Sequence, residues 1–314
     1  GGQGGDLGII EGPRMSFLVT DTQKDANGRI MHRLEVNKEA ALGSTPISIP
    51  NNLHVKVSVY LKRRHNIQRH HSATHIVNWA LRKVLGNHIR QAGSLVTKER
   101  LRFDFAHYEA VSPAQLKEIE SIANAAVIAN SPVNCYELPY DEKPDDVIAV
   151  FGEKYGAVVR IVDIGGFAKE LCGGTHVRAT GEIGLIKIVS ESGIAAGTRR
   201  IEAVCGTSAA ALMGATFEQL SRLANTLKCK PADIQDKLDV MMTQRKTLEQ
   251  ALKRLQQKAA ASQINELTSA ASDLGNGLKA LIVTVDAPAP NELKNMATAL
   301  GQKLGESVVV LAAA

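Results

Sequence analysis

The sequence predicts an α+β protein, and three observations lead to that class. Strict period-two alternation appears near the start, helical and strand-like runs interleave through the middle, and a heptad pattern follows from residue 234. The expected division is a small β-barrel-like part over 1–62 and an α/β body over 63–206. A helical or coiled-coil segment follows over 207–270, then the start of a βαβ unit over 271–314, cut short by the end of the chain.

"LHVKVSVYL" (53–61) carries the alternation. Leu53, Val55, Val57, Val59 and Leu61 share one face, and His54, Lys56, Ser58 and Tyr60 the other, as in a half-buried strand. "ANGRI" (26–30) places an Asn-Gly turn between two strands. A small antiparallel barrel or sheet is expected. Within "LKRRHNIQRHHSATHIVNWALRKVLG" (61–86), Ile76, Val77, Ala80, Leu81, Val84 and Leu85 recur at helical spacing, and Gly86 suits a C-cap. A helix is predicted over 71–85, and a second, opened by Pro113, over 113–130. Strands are predicted over 157–164, over 183–190 after a Thr-Gly turn, and over 197–204.

Past Gly206 the pattern changes. Ile234, Leu238, Met241, Arg245, Leu248, Leu252, Leu255 and Ala259 form a heptad seam with Arg245 as its misfit. An antiparallel helical hairpin or coiled-coil arm is predicted, with a capacity for self-association. Residues 280–286 read as a strand, 291–305 as a helix and 307–314 as a strand.

The 314 residues suffice for two or three domains with a full core. No run of about 18 apolar residues exists, so no membrane-spanning helix is expected. The opening "GGQGGDLG" has neither Met nor a signal pattern and reads as the interior of a longer chain. The four cysteines (Cys135, Cys172, Cys205 and Cys229) are scattered, which suits a reducing cytoplasmic compartment or its mitochondrial counterpart. The net charge of +5 suits an anionic partner without specifying one.

Two short stretches carry chemistry. In "HSATH", His71 and His75 are four apart, one turn along one helix face. In "LCGGTHV", Cys172 and His176 flank Gly173, Gly174 and Thr175, a run that can turn sharply. Together the four side chains offer imidazole and thiolate donors for one Zn²⁺ per chain. The helix is not a metalloprotease motif, because no acid lies between the histidines to act as base. The spacing leaves two readings open: a closed structural site, or a catalytic one with a position for water. Lys62, Arg63, Arg64 and Arg69 precede the helix and read either as phosphate contacts or as a solvated face.

"HSATH", "GNHIRQAGSLVTKERLRFDFAHYEA" (86–110) and "FGEKYGAVVRIVDIGGFAKELCGGTHVRATGEIGLIKIVSESGIAAGTRRIEAVCG" (151–206) resemble, in order and spacing, the editing domain of alanyl-tRNA synthetases. The helical stretch and the βαβ start look more loosely like the C-terminal region, which contacts tRNA. The resemblance implies hydrolysis of seryl- or glycyl-tRNA(Ala), with zinc on His71, His75, Cys172 and His176. It also implies a zinc-bound water acting with Gln91 and Cys172, and tRNA(Ala) as partner. Editing is needed because one methylene discriminates by only about 1–3 kcal/mol, and a small apolar pocket rejects an added hydroxyl poorly. The family's complete enzyme attaches alanine to tRNA with ATP. This chain has no such domain and is not expected to do so alone. Where the family usually has Ser this chain has Ala168, and Tyr108 stands where Asn is common. A freestanding editing hydrolase, and a tRNA-binding module with a structural zinc, are the alternative readings.

Overall fold

A computed structural model describes residues 2–13, 15–25, 28–37, 54–149, 155–285 and 290–313. They fall into two compact units, Gly1–Phe217 and Glu218–Ala314.

The first unit opens with strands β1 (Gly8–Gly12), β2 (Met15–Lys24), β3 (Ile30–Val36) and β4 (Lys56–Val59), an antiparallel sheet in the order β3-β2-β1-β4. The alternating stretch expected over 53–61 is therefore shorter as a strand. Leu53 and the Asn27 of the expected turn lie outside the described residues, and Leu61 already belongs to the next helix.

That helix, α1 (Leu61–Leu85), begins ten residues before the predicted start at 71. The reason is which side chains it buries. His70, His71, Ser72, Thr74 and His75 are all buried, so the inward face of its first half is largely polar. An apolar stripe appears only from Ile76 onward. Gly86, at φ 112°, ends the helix.

β5 (Gln91–Val96), β6 (Leu101–Ala106) and α2 (Pro113–Ile128) follow, then β7 (Val133–Pro139), β8 (Val158–Ile164) and β9 (Ala168–Leu171). β10 (Ile186–Ala195) and β11 (Thr198–Cys205) close the series. One sheet has the order β10-β11-β6-β5 and another β7-β8-β9. α2 starts with a reciprocal Ser112/Gln115 capping box behind Pro113. It ends two residues before the predicted limit, and Asn130 sits at φ 49° beyond it.

The strand predicted from 183 begins at Ile186, because Thr180–Ile183 is a 3₁₀ turn. The buried Thr180 hydroxyl fixes that turn: it donates to Ala126 O (2.8 Å) and accepts from Ser131 N–H (2.9 Å). α1, α2 and the two sheets enclose one core in which Ile76, Leu81, Phe103, Phe105, Ile164 and Ile201 are fully buried. Each such side chain contributes about 1.5–3 kcal/mol.

α3 (Gly206–Leu227) runs across the division between the units. In the second unit, α4 (Ile234–Ser269) carries the heptad residues, of which Leu238, Met241, Leu248, Leu252 and Leu255 are exposed. The misfit Arg245 pairs with Glu249 one turn on. β12 (Ser272–Asp273), β13 (Lys279–Val285), α5 (Pro290–Leu304) and β14 (Ser307–Ala313) complete the unit. β13 and β14 are parallel, as a βαβ unit requires, and Leu281, Leu300 and Leu304 form its core. Among the described residues, no helix is long and apolar enough to cross a membrane.

Candidate metal centre

α1 presents His71 and His75 one turn apart, with ring centroids separated by 5.3 Å and planes inclined by 13°. The loop after β9 brings Cys172 and His176 to them. One ligand atom from each of the four residues falls in a cluster no wider than 4.8 Å. Cys172 Sγ lies 3.3 Å from His71 Nε2.

The outward nitrogens are all held. Gln3 Oε1 is 2.6 Å from His71 Nδ1, Glu170 Oε2 is 2.6 Å from His75 Nδ1, and Ser72 Oγ is 3.2 Å from His176 Nδ1. An amide oxygen and a carboxylate can only accept, so Nδ1 of His71 and of His75 carries the proton. In the neutral rings of His71 and His75 this leaves Nε2 as the acceptor. The Nε2 atoms of His75 and His176 are buried and have no hydrogen-bond partner. Buried, unpartnered ring nitrogens are costly unless something binds them. These two nitrogens, with a third imidazole and a sulfur beside them, fit a metal ion, and that donor set suits Zn²⁺.

The loop is fixed from behind. Arg160 Nη1 donates to Cys172 O and Gly174 O, both at 2.8 Å. A Cβ on Gly174 would collide with the His71 ring, whereas one on Gly173 would meet open space. Glycine is therefore needed at the first of these positions for close approach.

Charge is distributed unevenly over the cluster. Burial pushes the Cys172 thiol up, but the three imidazoles crowding it prevail and hold it down at about 2. Burial pushes His75 down, but the Glu170 carboxylate and the Cys172 sulfur raise it to about 10. Burial and the neighbouring histidines lower His176 to about 3.

A cavity of about 540 Å³ opens beside the cluster, lined by His65, Gln68, Arg69, Arg178 and Glu182 together with His176. Of the basic run, only Arg69 reaches this cavity, and its guanidinium also donates to Glu182 O and Asn66 Oδ1. Arg63 donates to Gly5 O, and Arg64 grips the Asp6 carboxylate with two nitrogens. Lys62 is exposed. Gln91 is half-buried at the start of β5 and donates to Ser94 Oγ (3.3 Å); no hydrogen bond joins it to the four donors. Ala168 is buried in the main core, and Tyr108 is exposed.

Gln3, Ser72, Glu170 and Arg160 were missed by the sequence reading. Glu170 adjoins the Cys172 motif and Gln3 sits in the glycine-rich opening, but neither has a spacing that signals a contact.

Residues 159–202, from β8 into β11, match the family described as the threonyl and alanyl tRNA synthetase second additional domain. The chain is 44% identical over 326 residues to the alanine–tRNA ligase of Opitutus terrae, and 41% identical over 313 residues to that of Pseudomonas fluorescens. It is 41% identical over 315 residues to that of Geobacillus kaustophilus. These alignments cover 99–100% of the chain and 33–35% of each relative. The chain belongs to the alanine–tRNA ligase family, as a segment about one third the length of the curated relatives it matches.

Proposed function

We propose that this segment hydrolyses the ester of mischarged seryl- or glycyl-tRNA(Ala), with Zn²⁺ held by His71, His75, Cys172 and His176. The observation that carries this is the convergence of one ligand atom each from three histidines and a cysteine within 4.8 Å, with the buried Nε2 atoms of His75 and His176 otherwise unpartnered. Zinc bound there would polarise an ester carbonyl or lower the pKa of a water. The chain's own part is positional. Glu170 and Ser72 lie against the outer nitrogens of His75 and His176, and Arg160 fixes the loop. The cavity beside His176 receives the aminoacylated end of the tRNA, with Arg69 and Arg178 facing its phosphates and Lys62 steering from the surface. Gln91 contacts the substrate rather than the metal.

On this reading residues 63–206 are the editing domain, and 271–314 begin a globular part that contacts tRNA. The complete protein charges tRNA(Ala) with alanine in the cytoplasm or its organellar equivalent.

The test is deacylation of seryl-tRNA(Ala), with alanyl-tRNA(Ala) as control, by wild type, Cys172→Ala and chelated protein, each checked by circular dichroism. Serine-selective turnover that disappears in folded Cys172→Ala is expected. A folded, zinc-loaded wild type that binds tRNA without turnover would sink the proposal.

A second reading also has support. The protein offers four donors, the number that structural zinc sites use. In that case chelation would unfold the domain rather than silence it.

A further inference from the structure

The glycine-rich opening reaches the metal cluster, although neither the editing chemistry nor the resemblance assigns it a task there. Gln3 bridges in parallel to Val96 at the end of β5. Val96 N–H donates to Gly2 O and Gly4 N–H donates to Val96 O, both at 2.8 Å. A Cβ on Gly2 would strike Ser94 O, and one on Gly5 would strike Thr22 O, so glycine lets this segment lie flat between its neighbours.

The segment carries one long side chain inward. Gln3 Oε1 accepts from His71 Nδ1–H (2.6 Å), from Thr175 N–H (2.9 Å) and from the Thr175 hydroxyl (3.3 Å). A single oxygen thereby joins the two halves of the donor set: the helix with His71, and the loop between Cys172 and His176. The segment is fastened by the same helix. Arg63 of α1 donates to Gly5 O at 3.1 Å, and Arg64 holds Asp6 through a twin contact.

We infer that Gln3 is a positioning residue of the metal centre. Its amide oxygen holds His71 in the tautomer that ligates through Nε2 and ties the 172–176 loop to α1. Arg63 and Arg64 serve that purpose by anchoring the segment. The inference rests on the metal assignment proposed above. Outer partners of this kind are worth about 10–100-fold in metal affinity.

The test compares wild type with Gln3→Ala, Gln3→Met and Gln3→Glu. Zinc affinity is measured by competition with a chromophoric chelator, the Co²⁺ absorption spectrum reports ligand geometry, and a thermal melt is run on each metal-free protein. Met keeps the bulk and removes the acceptor; Glu keeps the acceptor. Ala and Met should each weaken zinc by about 10–100-fold and alter the cobalt bands, while Glu restores most of the affinity. Arg64→Ala should shift affinity in the same direction by less. A wild type that binds no zinc would defeat the metal assignment itself. A tight-binding wild type matched by Gln3→Met in affinity and spectrum would overturn the role of Gln3 alone. Equal losses in Met and Glu would do the same, because they would trace to shape rather than to the acceptor.

Discussion

Glu170 Oε2 lies 2.6 Å from His75 Nδ1, while Glu170 Oε1 accepts from Asn78 Nδ2 at 2.8 Å. A carboxylate buried to 5% exposure is thus wholly engaged by one metal-facing imidazole and by the next residue along the same helix face. Its position two residues before Cys172 makes β9 the support for both halves of the cluster. Replacing Glu170 with Ala should weaken zinc binding by about 10–100-fold. It should also destabilise the metal-free protein by about 3–5 kcal/mol, as breaking a buried pair does. Chelator competition and denaturant melts measure the two effects, and an unchanged zinc affinity would contradict the orienting role.

The two glycines of the 172–176 loop should behave differently. Gly174→Ala drives a methyl into the His71 ring, and the chain can relieve that only by moving a ligand. Gly173→Ala meets nothing. Neither glycine has a positive φ, so backbone strain does not confuse the comparison. Zinc content after dialysis should fall sharply in the first variant and hold in the second, with both folded.

The Cys172 thiol, held at about 2, should be a thiolate throughout ordinary conditions in metal-free protein. The thiolate is the reactive form. Its alkylation rate, followed by mass spectrometry, should therefore stay nearly flat from pH 5 to 8. An ordinary thiol would instead react about tenfold faster per pH unit over that range. His75→Ala and His176→Ala should bring back that slope.

His70 stands next to a ligand but has a different task. Its Nδ1–H donates to Asn66 O (2.9 Å), and its Nε2 accepts the backbone N–H of Cys205 (3.1 Å), pinning α1 to β11. Burial lowers its pKa below the usual histidine value. The unfolded chain therefore takes up a proton near pH 6.5 while the native one resists. The stability from this group is whole above that pH and is lost as pH falls toward the native value. His70→Leu should cost about 1–3 kcal/mol at pH 7.5 by stranding the Cys205 N–H. The gap from wild type should narrow as melts are repeated down to pH 5.

The grouping of His71, His75, Cys172 and His176 was legible because they come in two local pairs with helical and tight-loop spacing. The helix carrying one pair was only half legible. Its first nine residues bury only Ile67 and the buried run His70–His75 is largely polar, which defeats a search for an apolar stripe, and only the structure reveals Leu61 as its start. Gln3, Ser72 and Glu170 were invisible for another reason. Hydrogen-bond partners of a ligand need only reach it in space; Gln3 and His71 are 68 residues apart, and no periodicity records such a meeting. The βαβ unit near the C-terminus could be read at once, since strand, helix and strand each carry their own pattern. Two arginines of the basic run contact Gly5 and Asp6, which sequence alone does not place beside them.

His71 and Cys172 meet across 101 residues of chain. At a synthesis rate of roughly 5–20 residues per second, the histidine pair leaves the ribosome about 5–20 seconds before the cysteine. During that interval a nascent chain offers the cell's metal pool only half a grip, of the kind any surface histidine pair provides. An ion that needs all four donors could be gripped in full only once the Cys-Gly-Gly-Thr-His stretch has emerged.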